Sequence, residues 1–225
     1  MDADDRAKVD DAYRAIGRYG VAFSTLIATM RDHIATRLNG GEFRLAQMAL
    51  GEAMPATIAH AFFGIARDIN NFSDAERDVA GTLELAVTDT IQERTHFAHG
   101  DWLINYFNWT GDPANPLTLA TPRRIRILPH QKGNPYKIDD LTPAEIDKKT
   151  DALLALVTNI YEFARIAFGI PLVGTDHETG GGKVERVRIS DIYSVETPPK
   201  QSGKPKRVVR NGPRAEDVVR IEYTD

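Results

Sequence analysis

Apolar residues recur at alternating steps of three and four along the first part of the chain. Val9, Tyr13, Ile16, Phe23, Ile27, Met30 and Ile34 carry the pattern, with Tyr19 or Gly20 between them. That is the period of one helix face, and it predicts a helix over residues 4–38. Asn39-Gly40-Gly41 ends it. A second helical region runs from Phe43 to Ile69, divided at Pro55 by a kink or by the first turn of a new helix. Its second half, Ile58 to Ala66, is apolar almost all round and is expected to be central. A third helix opens on Ser73-Asp74-Ala75-Glu76, a capping box with Ser73 as N-cap. Val79, Leu83, Ala86 or Val87, Thr90, Ile91, Thr95 and Ala98 continue its stripe, and Gly100 supplies a C′ residue.

After Gly100 the period changes. Trp102 to Trp109 is aromatic-rich and reads as a strand. Residues 111–116 form a Gly-Asp-Pro loop. Thr121 to Leu128 reads as a second strand, with Arg124 and Arg126 alternating against Ile125 and Ile127. The two predict a hairpin inserted between helices. Thr142-Pro143-Ala144-Glu145 then opens the last helix, whose apolar face is Ile146, Leu153, Leu156 or Val157, Ile160, Phe163 and Ala167. Gly169-Ile170-Pro171 stops it. The expected fold class is mainly α: an up-and-down helical bundle over residues 1–171, with a β-hairpin insert near 102–128. Residues 172–225 form a Gly/Pro-rich, basic extension. It reads either as a flexible tail or as short strands, at Val184–Ile189 and Val218–Tyr223.

Composition narrows the classes. Hydrophobic content of 42% and charged content of 27% suit a globular protein with a real core. The net charge of −4 means that attraction to nucleic acid must be local. Residues 198–214 are the local candidate, with Lys200, Lys204, Lys206, Arg207, Arg210, Arg214 and no acid. The absence of cysteine removes disulfides, thiolate metal sites and a cysteine nucleophile, and fits a reducing cytoplasm. The acidic N-terminus is unlike a secretory signal, and no run reaches the ~18 apolar residues of a membrane span. A cytoplasmic chain without membrane partners or cofactor is expected.

The chemistry concentrates in Glu93-Arg94-Thr95-His96-Phe97-Ala98-His99-Gly100-Asp101-Trp102. Arginine holds phosphate with a fixed fork of donors, and histidine both takes and gives a proton near neutrality. Arg94 with His99 therefore suits phosphodiester cleavage. A histidine in a last helical turn is also explained by the helix dipole alone. Five residues of ideal helix set the two about 140° apart, so they share a face only if the helix loosens at His99. His96, His99 and Asp101 have metal-ligand character but lack a third firm ligand at regular spacing, so no metal is expected. Glu93, His96 and Asp101 are auxiliary candidates, Glu93 as an orienter of the arginine or as a solvated acid. His60 reads as a core or interface histidine with one hydrogen bond, and His33 and His130 carry no pattern. Trp102, Tyr106, Phe107 and Trp109 either stack on RNA bases or pack as strand aromatics. Trp102, Lys204, Lys206, Arg207 and Arg210 are the nucleic-acid-binding candidates.

Arg94 through Gly100, closing a helix of a mostly helical chain, resembles the Arg-x4-6-His signature of HEPN-fold proteins. Many bacterial members carry Arg-Asn-x-x-Ala-His-Gly followed by an aromatic. Ala98-His99-Gly100-Asp101-Trp102 is similar to that form, and Thr95 departs from it where the family usually has asparagine or another polar residue with more hydrogen-bonding capacity. The resemblance in organisation covers residues 4–169. It implies an all-α bundle that dimerises with two motifs facing one cleft. Its active members are metal-independent endoribonucleases, of toxin or antiviral-defence type, in which His99 would move a proton while a 2′-OH attacks phosphorus. Arg94 would stabilise the added negative charge. RNA, a second copy and a protein antitoxin or regulator are the implied partners. Other relatives are catalytically silent interaction or nucleotide-binding modules.

Overall fold

The computed structural model describes residues 3–38, 43–99, 101–104, 107–109, 117–119, 121–127, 136–169, 188–198 and 205–212. The chain is mainly α. In order it forms α1 (Ala3–Leu38), α2 (Phe43–Gly51), α3 (Pro55–Ile69), α4 (Asp74–His99), β1 (Asp101–Leu103), β2 (Phe107–Trp109), β3 (Leu117–Leu119), β4 (Arg123–Ile127) and β5 (Tyr136–Asp140). Then follow α5 (Pro143–Phe168), α6 (Ile189–Ile192), β6 (Tyr193–Glu196) and β7 (Arg207–Arg210).

The helix starts follow from their caps. The Ser73 amide donates to Glu76 at 2.9 Å and the Glu76 amide reaches back to Ser73 Oγ at 3.4 Å, ahead of α4. Thr142 and Glu145 repeat the exchange at 2.8 and 3.2 Å ahead of α5. Pro55 begins α3 rather than kinking a longer helix, because its missing N–H costs nothing in a first turn. Gly169, at φ 61°, takes the left-handed turn that ends α5.

The chain divides into two compact units, residues 1–25 with 90–155, and residues 26–89 with 156–225. Helices α1, α4 and α5 each contribute to both.

In the first unit Val9, Ala12 and Ile104 form a buried cluster, joined by Ile16, Trp102 and Leu119. Tyr19 of α1 stacks on Phe97 of α4, their centroids 4.3 Å apart. Ion pairs Arg18–Asp147 at 2.7 Å and Lys149–Glu93 at 2.6 Å join the helices at their partly exposed rims, where such pairs add little stability. The expected hairpin is present and larger than its sequence pattern. β1 pairs with β4, and β2 with β3, all antiparallel. Asp101 faces Ile125 and Phe107 faces Leu119, so both ladders keep one register. The stretch read as one strand, 102–109, is two. β5 adds on the far side of β4. The segment Tyr136–Asp140 has weak apolar alternation, and pairing with β4 makes it a strand.

In the second unit Phe62, Phe63, Phe72, Phe163 and Phe168 form an aromatic core. Leu26, Met30, Ile34, Ile58, Leu83 and Ile160 are buried there. α3 is one-sided rather than central: Ile58, Ala59, Phe62, Phe63 and Ala66 are buried, while His60 and Gly64 are exposed. The Asn70 amide donates to the carbonyls of Ala66 and Ala167, at 2.8 and 2.7 Å, serving the last turns of α3 and α5 together. The extension contributes α6 and the antiparallel β6–β7 pair, in which Tyr193 faces Arg210 and Glu196 faces Arg207. Ile189, Ile192 and Tyr193 are buried. Of the strands expected at 184–189 and 218–223, the first meets helix at its end, where Ile189 opens α6; residues 184–187 and 218–223 lie outside the described residues.

Candidate functional site

The last turns of α4 and the strand after them carry the sequence-predicted residues. Phe97 is buried against Tyr19, and one turn earlier Arg94 stands over Phe23, its guanidinium carbon 5.4 Å from the ring centroid. These are two successive rungs between α1 and α4, set by helical steps of four on one side and three on the other. The half-buried Arg94 has no carboxylate partner among the described residues. Its neighbour Glu93 is engaged by Lys149 rather than by the arginine. Thr95 donates its hydroxyl back to the Ile91 carbonyl at 3.0 Å, a local bond that leaves this donor spent.

The backbone of α4 stays helical through His99. Positions 94 and 99 are therefore about 140° apart around the axis, and no loosening at His99 brings them together. The side chains of His96 and His99, and all of Gly100, lie outside the described residues. Asp101 is exposed in β1. No group of three or more His, Asp or Glu side chains suited to a metal occurs among the described residues.

Trp102 is committed to packing. Its Nε1–H donates to the Phe97 carbonyl at 2.8 Å, and its ring meets Phe97 edge-on at 4.8 Å. Tyr106 and Lys204 lie outside the described residues, as do the side chains of Phe107 and Trp109, and His130. The basic candidates that are described hold acids. Lys206 pairs with Asp78 at 3.1 Å, Arg207 with Glu196 at 2.6 Å, and Arg210 with the buried Glu162 at 2.9 Å. Tyr193 donates to the other oxygen of Glu162. Burial, and then that hydrogen bond, hold the Tyr193 hydroxyl far above the usual tyrosine range. These contacts anchor β6 and β7 to α5.

Sequence reasoning missed Arg124. Trp102, Arg124 and Asp139 form one row across β1, β4 and β5. On β4 it is Arg124 that is buried: it is 5% exposed, while Ile138, opposite Ile125, is 57% exposed. Arg124 Nη2 donates to Asp139 at 3.0 Å, and its guanidinium carbon lies 5.4 Å from the Phe97 centroid and 5.9 Å from that of Trp102. Burial pushes the Tyr19 hydroxyl up to about 12; the Glu93 charge adds to this and the Arg124 charge opposes it. The alternation in the sequence separates Arg124 from Ile125 but does not say which faces inward. The signal that was available is an acid at the paired position of a neighbouring segment.

Comparison with protein-family models, with curated proteins and with solved structures gave no match. No helix among the described residues is long and apolar enough to cross a membrane.

Proposed function

We propose that the chain is a HEPN-like, RNA-directed endoribonuclease that needs no metal and acts as a homodimer. The observation that carries the reading is the uncommitted charge of Arg94. Among the described residues its guanidinium contacts a ring and no acid, while the adjacent Glu93 is neutralised by Lys149. A cation left free beside a helix end is available to a phosphodiester. Arg94 would hold the phosphate, and His99 would shuttle the proton from the attacking 2′-OH.

The 140° separation of positions 94 and 99 favours a second reading, a catalytically silent interaction module. Thr95, whose hydroxyl is spent on Ile91, points the same way. A homodimer answers the separation by letting Arg94 and His99 act on one phosphate from different copies.

Purified protein is expected to cut RNA in EDTA and leave a cyclic phosphate end. Arg94→Ala and His99→Ala should abolish cutting with an unchanged circular dichroism spectrum. A folded His99→Ala protein that still cuts removes the assignment. Loss of activity on chelation, restored by a divalent ion, replaces it with the His96/His99/Asp101 metal reading. No cutting by the wild type leaves the silent module.

A further inference from the structure

β5 lies at an edge of its sheet: β4 pairs with one side of it, and no strand among the described residues pairs with the other. The hydrogen-bond phase of that edge follows from one contact. The Leu141 amide donates to the Pro122 carbonyl at 2.9 Å, one step beyond the Arg123–Asp140 pair in the same register. Pairs along an antiparallel ladder alternate between hydrogen-bonded and non-hydrogen-bonded. Positions 137 and 139 therefore turn their N–H and C=O groups toward β4, and positions 136, 138 and 140 turn theirs to the open edge. Ile138, midway along that edge, is 57% exposed.

An open edge is a template for another strand, and the residue order in β5 selects which one. The strand reads Tyr136-Lys137-Ile138-Asp139-Asp140. Set antiparallel to a second copy about a two-fold axis at Ile138, it places Ile138 opposite the partner's Ile138 and Tyr136 opposite the partner's Asp140. Every outward N–H and C=O of these positions then meets its complement. Lys137 falls opposite the partner's Asp139, and the axis makes that pair twice. Sliding the strands by two residues keeps the hydrogen bonds but puts Lys137 opposite the partner's Lys137, or Asp139 opposite the partner's Asp139. Like charges directly opposite are destabilising, so charge fixes the centre at Ile138. A lysine on an edge repels most incoming strands; a second copy answers it with an acid. Within the subunit Lys137 shares its register position with Arg126, a second cation. The partner's Asp139 would offset that repulsion. Asp139 accepts from Arg124 of its own subunit, and a carboxylate has capacity for a further donor.

We propose that β5 pairs with β5 of a second copy, antiparallel and centred on Ile138, so that two three-stranded sheets become one. The interface is isologous, the same strand serving both subunits. It names a surface for the homodimer of the nuclease reading, but it rests on the strand and not on Arg94 or His99.

The test uses the absence of cysteine from the chain. Ile138→Cys introduces a single thiol, and in this register the two Cα atoms are about 5.5 Å apart, within the span of a disulfide. Mild oxidation of the full chain should give a covalent dimer on a non-reducing gel. Asp140→Cys is the control: its position lies more than about 13 Å from the same position of the partner, and it should stay uncrosslinked. Lys137→Glu should suit Arg126 within the subunit and oppose the partner's Asp139. Sedimentation across a concentration series should show its dimer Kd raised roughly tenfold or more, with an unchanged circular dichroism spectrum. A wild type that stays monomeric, equal crosslinking at 138 and 140, or a Lys137→Glu dimer as tight as wild type overturns the proposal. If Ile138→Cys fails to fold, Lys137→Glu decides alone. His99→Ala should dimerise like wild type. A dimer that forms through β5 and cuts no RNA leaves the pairing standing, while a cutting protein whose dimer ignores these variants leaves only the nuclease reading.

Discussion

His33 shows what burial does to a single titratable side chain. It stands 5.6 Å from the Tyr161 ring and 6.4 Å from Phe168, and its Nδ1 lies 2.7 Å from the Thr29 carbonyl. A carbonyl only accepts, so Nδ1 carries the proton of the neutral ring. Burial holds the imidazole pKa below its ordinary value. The Thr29 bond and Asp32 oppose that shift, and Arg165 adds to it. As pH falls through about 6.5, the unfolded chain takes up a proton that folded His33 resists, and stability is lost until the lower folded value is passed. Urea midpoints at pH 7.5 and 5.5 should therefore differ, and His33→Gln should shrink the difference. An equal drop in both proteins would place the pH dependence elsewhere. No pattern in the sequence marks this residue as buried. His33 sits among polar neighbours and is buried, whereas His60 sits among apolar ones and is exposed. Helical azimuth decides burial, and adjacent residues say little about it.

At the scale of elements, caps decided what could be read in advance. Both predicted capping boxes are formed, and they define where α4 and α5 begin. Ser73→Ala should cost about 1 kcal/mol, or roughly 2–4 °C in Tm for a chain of this size. Ser73→Gly should cost only a few tenths of that energy. Equal losses in the two variants would show that the hydroxyl is not the stabilising group. Gly212 presents a different constraint. Its amide and that of Asn211 both donate to the Ile192 carbonyl, at 3.2 and 2.9 Å. A Cβ at Gly212 would overlap the backbone oxygen of Asp191 and come within 3.0 Å of the Ile192 Cα. Backbone cannot step aside as a side chain can. Gly212→Ala should open the end of the β6–β7 pair, measured as faster amide exchange at Val208 and Val209. Unchanged exchange there would mean that the chain shifts freely at this point. No local pattern in the sequence marks the crossing, because it joins residues about twenty apart.

The molecule as a whole assigns the extension a structural task. Ile189, Ile192 and Tyr193 are buried, and Glu162 of α5 receives both Tyr193 and Arg210. Ending the chain at Pro171 would strip that cover and expose to water the apolar surface against which Ile189, Ile192 and Tyr193 are buried. Such losses are expensive, on the order of 3 kcal/mol or more. The shortened protein should melt at least several degrees lower than the full chain. An unchanged Tm together with weaker RNA binding would restore the view of a flexible cationic tail. That view came from composition: residues 198–214 hold six positive charges and no acid. It failed to count acids that are distant in sequence, and Asp78, Glu162 and Glu196 take up Lys206, Arg210 and Arg207.

Local information therefore determined the helices. Their period, caps, proline and closing glycine are written within a few residues of one another, and the starts of α4 and α5 and the end of α5 fall where those signals put them. The hairpin register was half legible, since turn and alternation are local, while β5 exists only through its pairing with β4. Tertiary structure decided the burial of Arg124. A strand of alternating arginine and isoleucine has two faces, and ordinary hydrophobicity would send isoleucine inward. Trp102 and Asp139 in the same row, with Phe97 beside them, supply ring faces and a carboxylate that receive Arg124 as the buried side chain. Those partners lie on three separate elements, and only folding brings them to one place.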